Sequence, residues 1–333
     1  MTTLQAINDW NLLADQVLEG HRIDVEEARA ILDSSDDELL GLVNAAFKIR
    51  RKHWGKRVNL HVLDNAKSGM CRENCKFCSQ AMGSYSGVDR YAMKTVEQLV
   101  SGAREAHKRK AVKYCMVTAT RGPSDQELET ICEATRQIKD EMDIHVCASL
   151  GLLQKEDAEK LAEAGVDRFN HNLESSEEYY GELCQTHTFQ DRLDTLQHVR
   201  DAGMEMCCGG IMGMGEAADD RIELAMTLRD LNVESVPINF LDPRPGTPMG
   251  EVNKLSAQEA IRCLCMFRFA HPETDLRIAG GREVVLGPMQ VMALYVANSF
   301  FTEGYLTTGG QGYQDDLNLI AAAGFELAEL SEA

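Results

Sequence analysis

The stretch Cys71-Arg-Glu-Asn-Cys75-Lys-Phe-Cys78 carries three thiols spaced C-x3-C-x2-C. Thiolates this close in one loop can converge on a single soft metal centre. A structural zinc site usually wants four protein ligands, often as two CxxC knuckles, and no second knuckle lies nearby. A cubane [4Fe–4S] cluster normally takes four cysteines. Three would leave one iron open to a small chelating molecule, into which it can pass an electron.

Three further cysteines fall within β-rich segments: Cys115 in VKYCMVTAT, Cys147 in IHVCASLGLL and Cys207 in MCCGGIMGMGE. Side chains alternate along a strand, and neighbouring strands of a barrel bring their inward positions to shared levels. Three thiols raised from three strands can therefore meet in one interior. Arg277, in DLRIAGGRE, lies on a fourth. Alternation sends Cys207 and Cys208 to opposite faces. For any one of these cysteines the plain alternative is a buried small apolar residue. That is the expectation for Cys132, Cys184, Cys263 and Cys265, in helical or connecting segments. Asn170, Asn172 and Glu174 in FNHNLE alternate, so all three can share an inward face, with His171 turned away as a structural residue. Buried asparagines of this kind also serve simply to satisfy backbone.

These positions must be held by regular elements. From Val58 onward, short β-rich segments alternate with longer amphipathic ones. Expected strands are 59–63, 112–118, 144–150, 168–174, 205–212, 235–241, 275–279 and a weaker 299–306. Expected helices include 96–108, 125–139, 155–164, 189–202, 221–231 and 257–270. Glycines follow three of the helical stretches, at Gly165, Gly203 and Gly324, as helix C-termini favour. Alternation implies parallel βαβ units, and about eight of them in about 250 residues indicate a (β/α)8 TIM-type barrel. No GxGxxG follows the first strand, which weighs against a dinucleotide-binding fold. Residues 1–56 form an N-terminal helical extension, 57–325 the barrel, and 326–333 a tail in which a last helix frays. Asp24 with Glu27 marks a capping box, and 36–47 has helical spacing. The basic run from Lys48 to Arg57 is expected to be a solvated connection, with a docking surface for an acidic redox partner as the alternative.

The chain has 333 residues, 53 of them acidic against 34 basic, for a net charge of −19. Such a balance argues against a nucleic-acid backbone binder. No secretory signal and no membrane-spanning run is visible, so a cytoplasmic location is expected, in which eleven cysteines stay reduced. No Ser-His-Asp arrangement or zinc-protease motif stands out.

The three-cysteine loop after a first barrel strand resembles the radical S-adenosylmethionine enzymes. Within that superfamily the chain resembles the biotin synthase family, from about Asn59 to Thr308. The matching stretches are CRENCKFCSQ, VKYCMV, CASLGLL, RFNHNLE, CGGIMGMGE, VPINFL, LRIAGGRE and YLTTGG. The resemblance implies that Cys71, Cys75 and Cys78 hold a [4Fe–4S] cluster whose open iron binds S-adenosylmethionine. Electron transfer then generates a 5′-deoxyadenosyl radical. It implies that Cys115, Cys147 and Cys207, with Arg277, hold a [2Fe–2S] cluster that donates the sulfur inserted into dethiobiotin. Phe77 would lie near the adenine. Asn172 and Glu174 would lie near the ribose, Asn172 and Asn239 at the substrate, and Thr307 and Thr308 near its carboxylate. An external electron donor such as flavodoxin or ferredoxin and a homodimer are further implications. Arg72-Glu-Asn74 departs from the Pro-Glu-Asp of other members, and Glu174 replaces an aspartate. Guanidinium is a poor metal ligand by its own chemistry, so Arg277 rests on the resemblance, with Arg282 as its neighbour in competition. Lipoyl synthase would carry a further N-terminal cysteine triplet, and no cysteine precedes Cys71. A non-catalytic iron–sulfur carrier would need a fourth cluster ligand and no asparagine-lined pocket.

Overall fold

The computed structural model describes residues 9–329. Its strands are β1 (Arg57–Lys67), β2 (Lys113–Thr118), β3 (His145–Ser149), β4 (Arg168–Asn170), β5 (Glu205–Cys207), β6 (Gly210–Met212), β7 (Ser235–Phe240), β8 (Asp275–Ile278), β9 (Ser299–Phe301) and β10 (Glu326–Leu327). All strand pairs are parallel, in the order β1-β2-β3-β4-β5-β7-β8-β9. Closure comes from β9 returning to β1, with Asn59 opposite Ser299 and His61 opposite Phe301. Eight staves form the barrel because β6 continues the line of β5 against β7. This is the expected (β/α)8 architecture.

The helices are α1 (Trp10–Leu18), α2 (Val25–Leu32), α3 (Leu39–Trp54), α4 (Val96–Lys108), α5 (Asp125–Glu141), α6 (Lys155–Glu163), α7 (Glu177–Leu183), α8 (Phe189–Asp201), α9 (Ala218–Asp230), α10 (Ala257–Ala270), α11 (Arg282–Leu286), α12 (Gln290–Leu294) and α13 (Tyr313–Ala322). Local chemistry sets their starts. Thr95, Ser124, Thr188 and Ser256 each accept the amide of the third helical residue, whose side chain returns the bond. The Asp24–Glu27 capping box is present as expected. One apolar layer runs from Trp10 through the barrel helices to Phe325, so the first three helices dock on the barrel through α9 and α10.

Four expectations change. The 205–212 stave breaks at Cys208-Gly209, where the backbone runs so close to β7 that a Cβ on Gly209 would sit 1.9 Å from the Pro237 carbonyl oxygen. The 299–306 strand ends at Phe301, and Tyr305 and Thr308 pair instead in a tight turn. Up to residue 329, where the described residues end, the tail is not a last helix. That helix ends at Ala322, and Glu326–Leu327 pairs with Arg57 and Val58. The basic run is exposed at Lys48, Arg51, Lys52 and Lys56, as a solvated connection would be, but α3 extends through it to Trp54 and Arg50 is fully buried. Arg50 donates to the Ala297 and Arg57 carbonyls at 2.9 and 2.7 Å and lies over the Phe325 ring. The run also sits at the N-terminal end of β1, opposite the Cys71–Cys78 loop, which removes the geometric basis for docking a redox partner there. Among the described residues no helix is long and apolar enough to cross a membrane.

Three histidines are buried without charge. Burial holds His271 down at about 3, where its Nε2 donates to the Ala225 carbonyl at 3.0 Å and its ring stacks on Phe267. Burial likewise drives His61 and His171 well below the ordinary histidine value. Each takes up a proton more readily unfolded than folded, so its contribution is complete above pH ~6.5 and is lost as the pH falls towards the folded value. Chemical denaturation of the full chain should therefore give a lower stability at pH 5.5 than at 7.5, by about 1 kcal/mol per histidine. His271→Gln should make that loss shallower; an unchanged slope would place a charged His271 in the folded protein.

Candidate radical cofactor site

The C-terminal ends of the staves open into one cavity of ≈ 290 Å³. Its mouth is the loop after β1. Backbone turns Cys78 N–H to Cys75 O at 3.1 Å and Ala81 N–H to Cys78 O at 3.2 Å wind this loop so that Cys71, Cys75 and Cys78 all line the cavity. Glu73 anchors the loop from below. It accepts from Arg121 at 3.0 Å, from the Thr186 hydroxyl and from His187. Although burial opposes ionisation, these donors hold its carboxyl below the ordinary range. Asn74 exchanges bonds with Thr186 Oγ1 and Gln185 N–H, and Lys76 N–H donates to Leu183 O. Glu73, shared with the usual Pro-Glu-Asp pattern, and Asn74, which departs from it, tie the loop to the α7–α8 connection.

The floor lies deeper. Cys115 and Cys147 are register partners on β2 and β3, both facing the interior. The contact with Cys147 and burial push the Cys115 thiol well above its ordinary value, while Cys115, and after it Arg168 and Arg277, lower the Cys147 thiol against burial. Cys207 Sγ accepts from Arg277 Nη1 at 3.4 Å and from Asn170 Nδ2 at 3.2 Å. Cys208 instead joins the apolar layer under the helices, which separates the two adjacent thiols by face. Arg277 is 2% exposed. Its Nη2 donates to Asp275 at 2.9 Å and Ser235 at 2.7 Å, its face covers Phe301, and its Nε has no partner. Arg282, the competitor, points away to Asp316 and Gln290.

Between mouth and floor run Asn170, Asn172 and Glu174. Asn170 Nδ2 lies 3.4 Å from Asn172 Oδ1, and Asn172 Nδ2 lies 3.5 Å from Glu174 Oε2. Only Arg168–Asn170 is regular strand, and Glu174 takes a left-handed φ of 70° as the chain turns over Gly209. Burial pushes the Glu174 carboxyl above its ordinary value. His171 turns outward beside Phe169, as alternation requires. Asn239 spans Gly210 O at 3.2 Å and Gly280 N–H at 2.8 Å, so one N–H and one lone pair remain for anything in the cavity. Phe77 packs against Leu183, Met214 and Leu241 at the rim. Thr307 joins Ser79 of the cysteine loop at 2.8 Å, and Thr308 pairs with Tyr305.

Fragments of this chain match two family models, the radical SAM superfamily over residues 67–228 and the Biotin and Thiamin Synthesis associated domain over 237–326. It is 54% identical to biotin synthase of Salinibacter ruber over 95% of this chain and 88% of that protein. The chain belongs to the biotin synthase family. Biotin synthases of Rhodopirellula baltica (45%, covering 96% of this chain and 89% of that one) and Geobacillus kaustophilus (44%, 96% and 96%) agree. Among solved structures, methylornithine synthase superposes with a TM-score of 0.85 at 18% identity, covering 96% of this chain and 98% of that one. The FeFe-hydrogenase maturase HydG of Carboxydothermus hydrogenoformans gives 0.81 at 16%, over 96% and 79%. At those identities the likeness is one of fold.

Two residues beyond the expected set come close to the residues predicted for the site. Arg192 of α8 lines the cavity, donating to the Tyr180 hydroxyl and to the Asn172 carbonyl at 2.5 Å, with Glu174 3.9 Å away. Its sequence signal was present: it falls on the buried stripe Phe189, Arg192, Leu196, Val199 of an amphipathic helix. That signal is unspecific, since Arg50 and Arg268 occupy similar stripes and serve structure, holding backbone carbonyls and, for Arg268, the Asn298 side chain. The second is Cys184. It was expected to pack, as Cys132, Cys263 and Cys265 do, yet its Sγ lies 3.6 Å from Cys75 Sγ and 3.2 Å from His187 Nδ1.

Of the eleven cysteines only Cys71 and Cys78 are more than marginally open to solvent. Burial raises both thiols, Cys78 to about 11. Brief alkylation of the iron-free protein, followed by peptide mass spectrometry, should mark these two first and faster at alkaline pH. Early labelling of Cys115, Cys147 or Cys207 would mean that the floor opens to solvent.

Proposed function

We propose that the chain inserts sulfur into dethiobiotin to form biotin, with S-adenosylmethionine and a [4Fe–4S] cluster at the mouth of the cavity and a [2Fe–2S] cluster at its floor. One observation carries this: one barrel cavity has three thiols at its mouth, two thiols and an arginine lining its floor with Cys207 directly behind that arginine, and an amide- and carboxylate-lined passage between them. Both thiol sets fit soft iron centres. The floor set also contains a buried guanidinium with one nitrogen aimed at Cys207 and another without a partner. When bound, the cofactors supply a hydrogen-abstracting radical and the sulfur atom, which saturated carbons require because they are too weakly acidic for a protein base.

The chain's own residues bind, orient and exclude water. Cys71, Cys75 and Cys78 hold the first cluster, and Cys115, Cys147, Cys207 and Arg277 the second. Asp275 and Ser235 both accept from Arg277 Nη2, leaving Nη1 for the cluster side. Arg192 supplies a buried positive charge suited to the carboxylate of S-adenosylmethionine, Glu174 and Asn172 meet its ribose, and Phe77 its adenine. Asn172 and Asn239 take the ureido ring of dethiobiotin, with Thr307 and Thr308 near its carboxylate. Tyr305 and Phe301 close the wall beside the floor. The reductant is a separate one-electron carrier such as flavodoxin or ferredoxin, the enzyme is a cytoplasmic homodimer, and residues 57–325 are its catalytic barrel.

Anaerobic reconstitution with iron and sulfide, then reductant, S-adenosylmethionine and dethiobiotin, tests this. 5′-Deoxyadenosine and biotin are expected. No 5′-deoxyadenosine would remove the radical assignment, and 5′-deoxyadenosine without biotin would remove only the substrate. Cys115→Ala, Cys147→Ala and Cys207→Ala should each lose the [2Fe–2S] absorbance and keep the [4Fe–4S] signal. Cys208→Ala should keep both. Loss of both signals in the floor variants would mean that the two centres are not separate.

A further inference from the structure

Cys184 and His187 are not among the ligands assigned above, yet they complete a set with one that is. The Cys75, Cys184 and His187 ligand atoms lie within 4.8 Å of one another, and all three residues are buried. A tetrahedral site with metal–sulfur bonds of about 2.3 Å and metal–nitrogen bonds of about 2.1 Å has edges of about 3.8 Å between sulfurs and about 3.5 Å between sulfur and nitrogen. The Cys75–Cys184 edge is 3.6 Å, and His187 offers Nδ1 at 3.2 Å or Nε2 at 3.9 Å from Cys184 Sγ. Glu73 bonds His187 at Nδ1, the arrangement by which a carboxylate fixes a metal-binding imidazole with Nε2 as the ligand nitrogen.

We infer that the iron-free protein holds one thiophilic divalent cation, of the Zn²⁺ or Fe²⁺ class, between Cys75, Cys184 and His187. Two thiolates offset the cation, while Glu73 is shared between His187 and Arg121, and Glu174 lies 3.9 Å from Arg192. Arg192 Nη2, 3.0 Å from Nε2, yields that contact and keeps its bonds to the Tyr180 hydroxyl and the Asn172 carbonyl. Binding is a plain exchange in which the metal replaces the thiol protons, with no change of oxidation state. The inference deepens the reading of Cys75 as a cluster ligand. Cys75 serves one occupant at a time, so a cation held here must leave, or be built upon as a first iron, before the [4Fe–4S] cluster forms.

Cobalt(II) is the probe, titrated into the full chain after iron removal, because tetrahedral thiolate–cobalt absorbs in the visible. The floor thiols can also take up cobalt, so the informative quantity is the equivalent lost on substitution. Wild type, Cys71→Ala and Cys115→Ala should all retain a mixed thiolate–imidazole cobalt equivalent. Cys184→Ser and His187→Gln should bind it about tenfold or more weakly, as removal of one ligand entails. The cluster-loaded wild type should not bind it at all. Two substitutions in different residues, each checked by circular dichroism, guard against misfolding of either one. Loss in Cys71→Ala with retention in Cys184→Ser would place the cobalt in the loop thiols and overturn the inference, as would equal binding by every variant. Reconstituted Cys184→Ser should still gain the [4Fe–4S] absorbance. Absence of 5′-deoxyadenosine from wild type would count against the proposed function and leave the cobalt result standing.

Discussion

The carboxylate of Asp275 is buried in the barrel floor and accepts from five donors. These are Arg277 Nη2 at 2.9 Å, Arg168 Nη1 at 3.2 Å, Ser235 Oγ at 2.9 Å, Asn298 Nδ2 at 2.8 Å and Ser299 Oγ at 2.6 Å. They come from β8, β4, β7, the turn before β9 and β9 itself. A lone buried carboxylate would cost several kcal/mol, whereas one met by two guanidiniums and three further donors is held ionised. The two arginines next to Asp275, though burial opposes them, keep its acidity well above that of an ordinary aspartate. Everything at the floor follows from this arrangement. Arg277 is oriented towards Cys207, Arg168 reaches on to Glu205, and the surplus of positive charge with burial depresses Lys113 to about 8 and keeps His61 neutral.

The mouth is organised by a different logic. Its three thiols come from one loop, so their proximity follows from spacing alone. Their orientation does not, because it requires the α7–α8 connection to hold Glu73 and Asn74. The floor reverses this order. Its thiols are far apart in sequence, but once the sheet closes, strand pleating brings them to the interior without further help. The two sets sit at the two ends of one cavity, Cys207 just behind its lining, with the Asn170–Glu174 passage between.

Much of this was legible in advance, and the reasons differ by residue. Helices α4 and α10 match their expected bounds, because capping chemistry at Thr95 and Ser256 is local. The 205–212 stave was legible as β-rich, but its break depends on how near Pro237 comes to Gly209, a contact between strands. The 299–306 segment is apolar enough for a strand throughout, yet only three residues have a partner in β1. The tail pairs with the start of β1 because its neighbour lies some 270 positions earlier, which no local pattern records. Arg192 and Cys184 escaped notice for the same reason, since each acquires meaning only from neighbours brought by folding.

By itself the sequence determined the family and the barrel, and it singled out the residues with the strongest chemical signatures: the loop thiols, the strand thiols, and the alternating Asn170, Asn172 and Glu174. Those properties reside in residue type, spacing and periodicity, which survive without coordinates. Only the tertiary structure decided that Cys207 and Cys208 part by face, that Arg277 rather than Arg282 looks inward, and that Cys184 and His187 approach Cys75. These depend on strand register, on barrel closure and on the packing of one loop against another, and such long-range contacts arise only when distant parts of the chain are brought together.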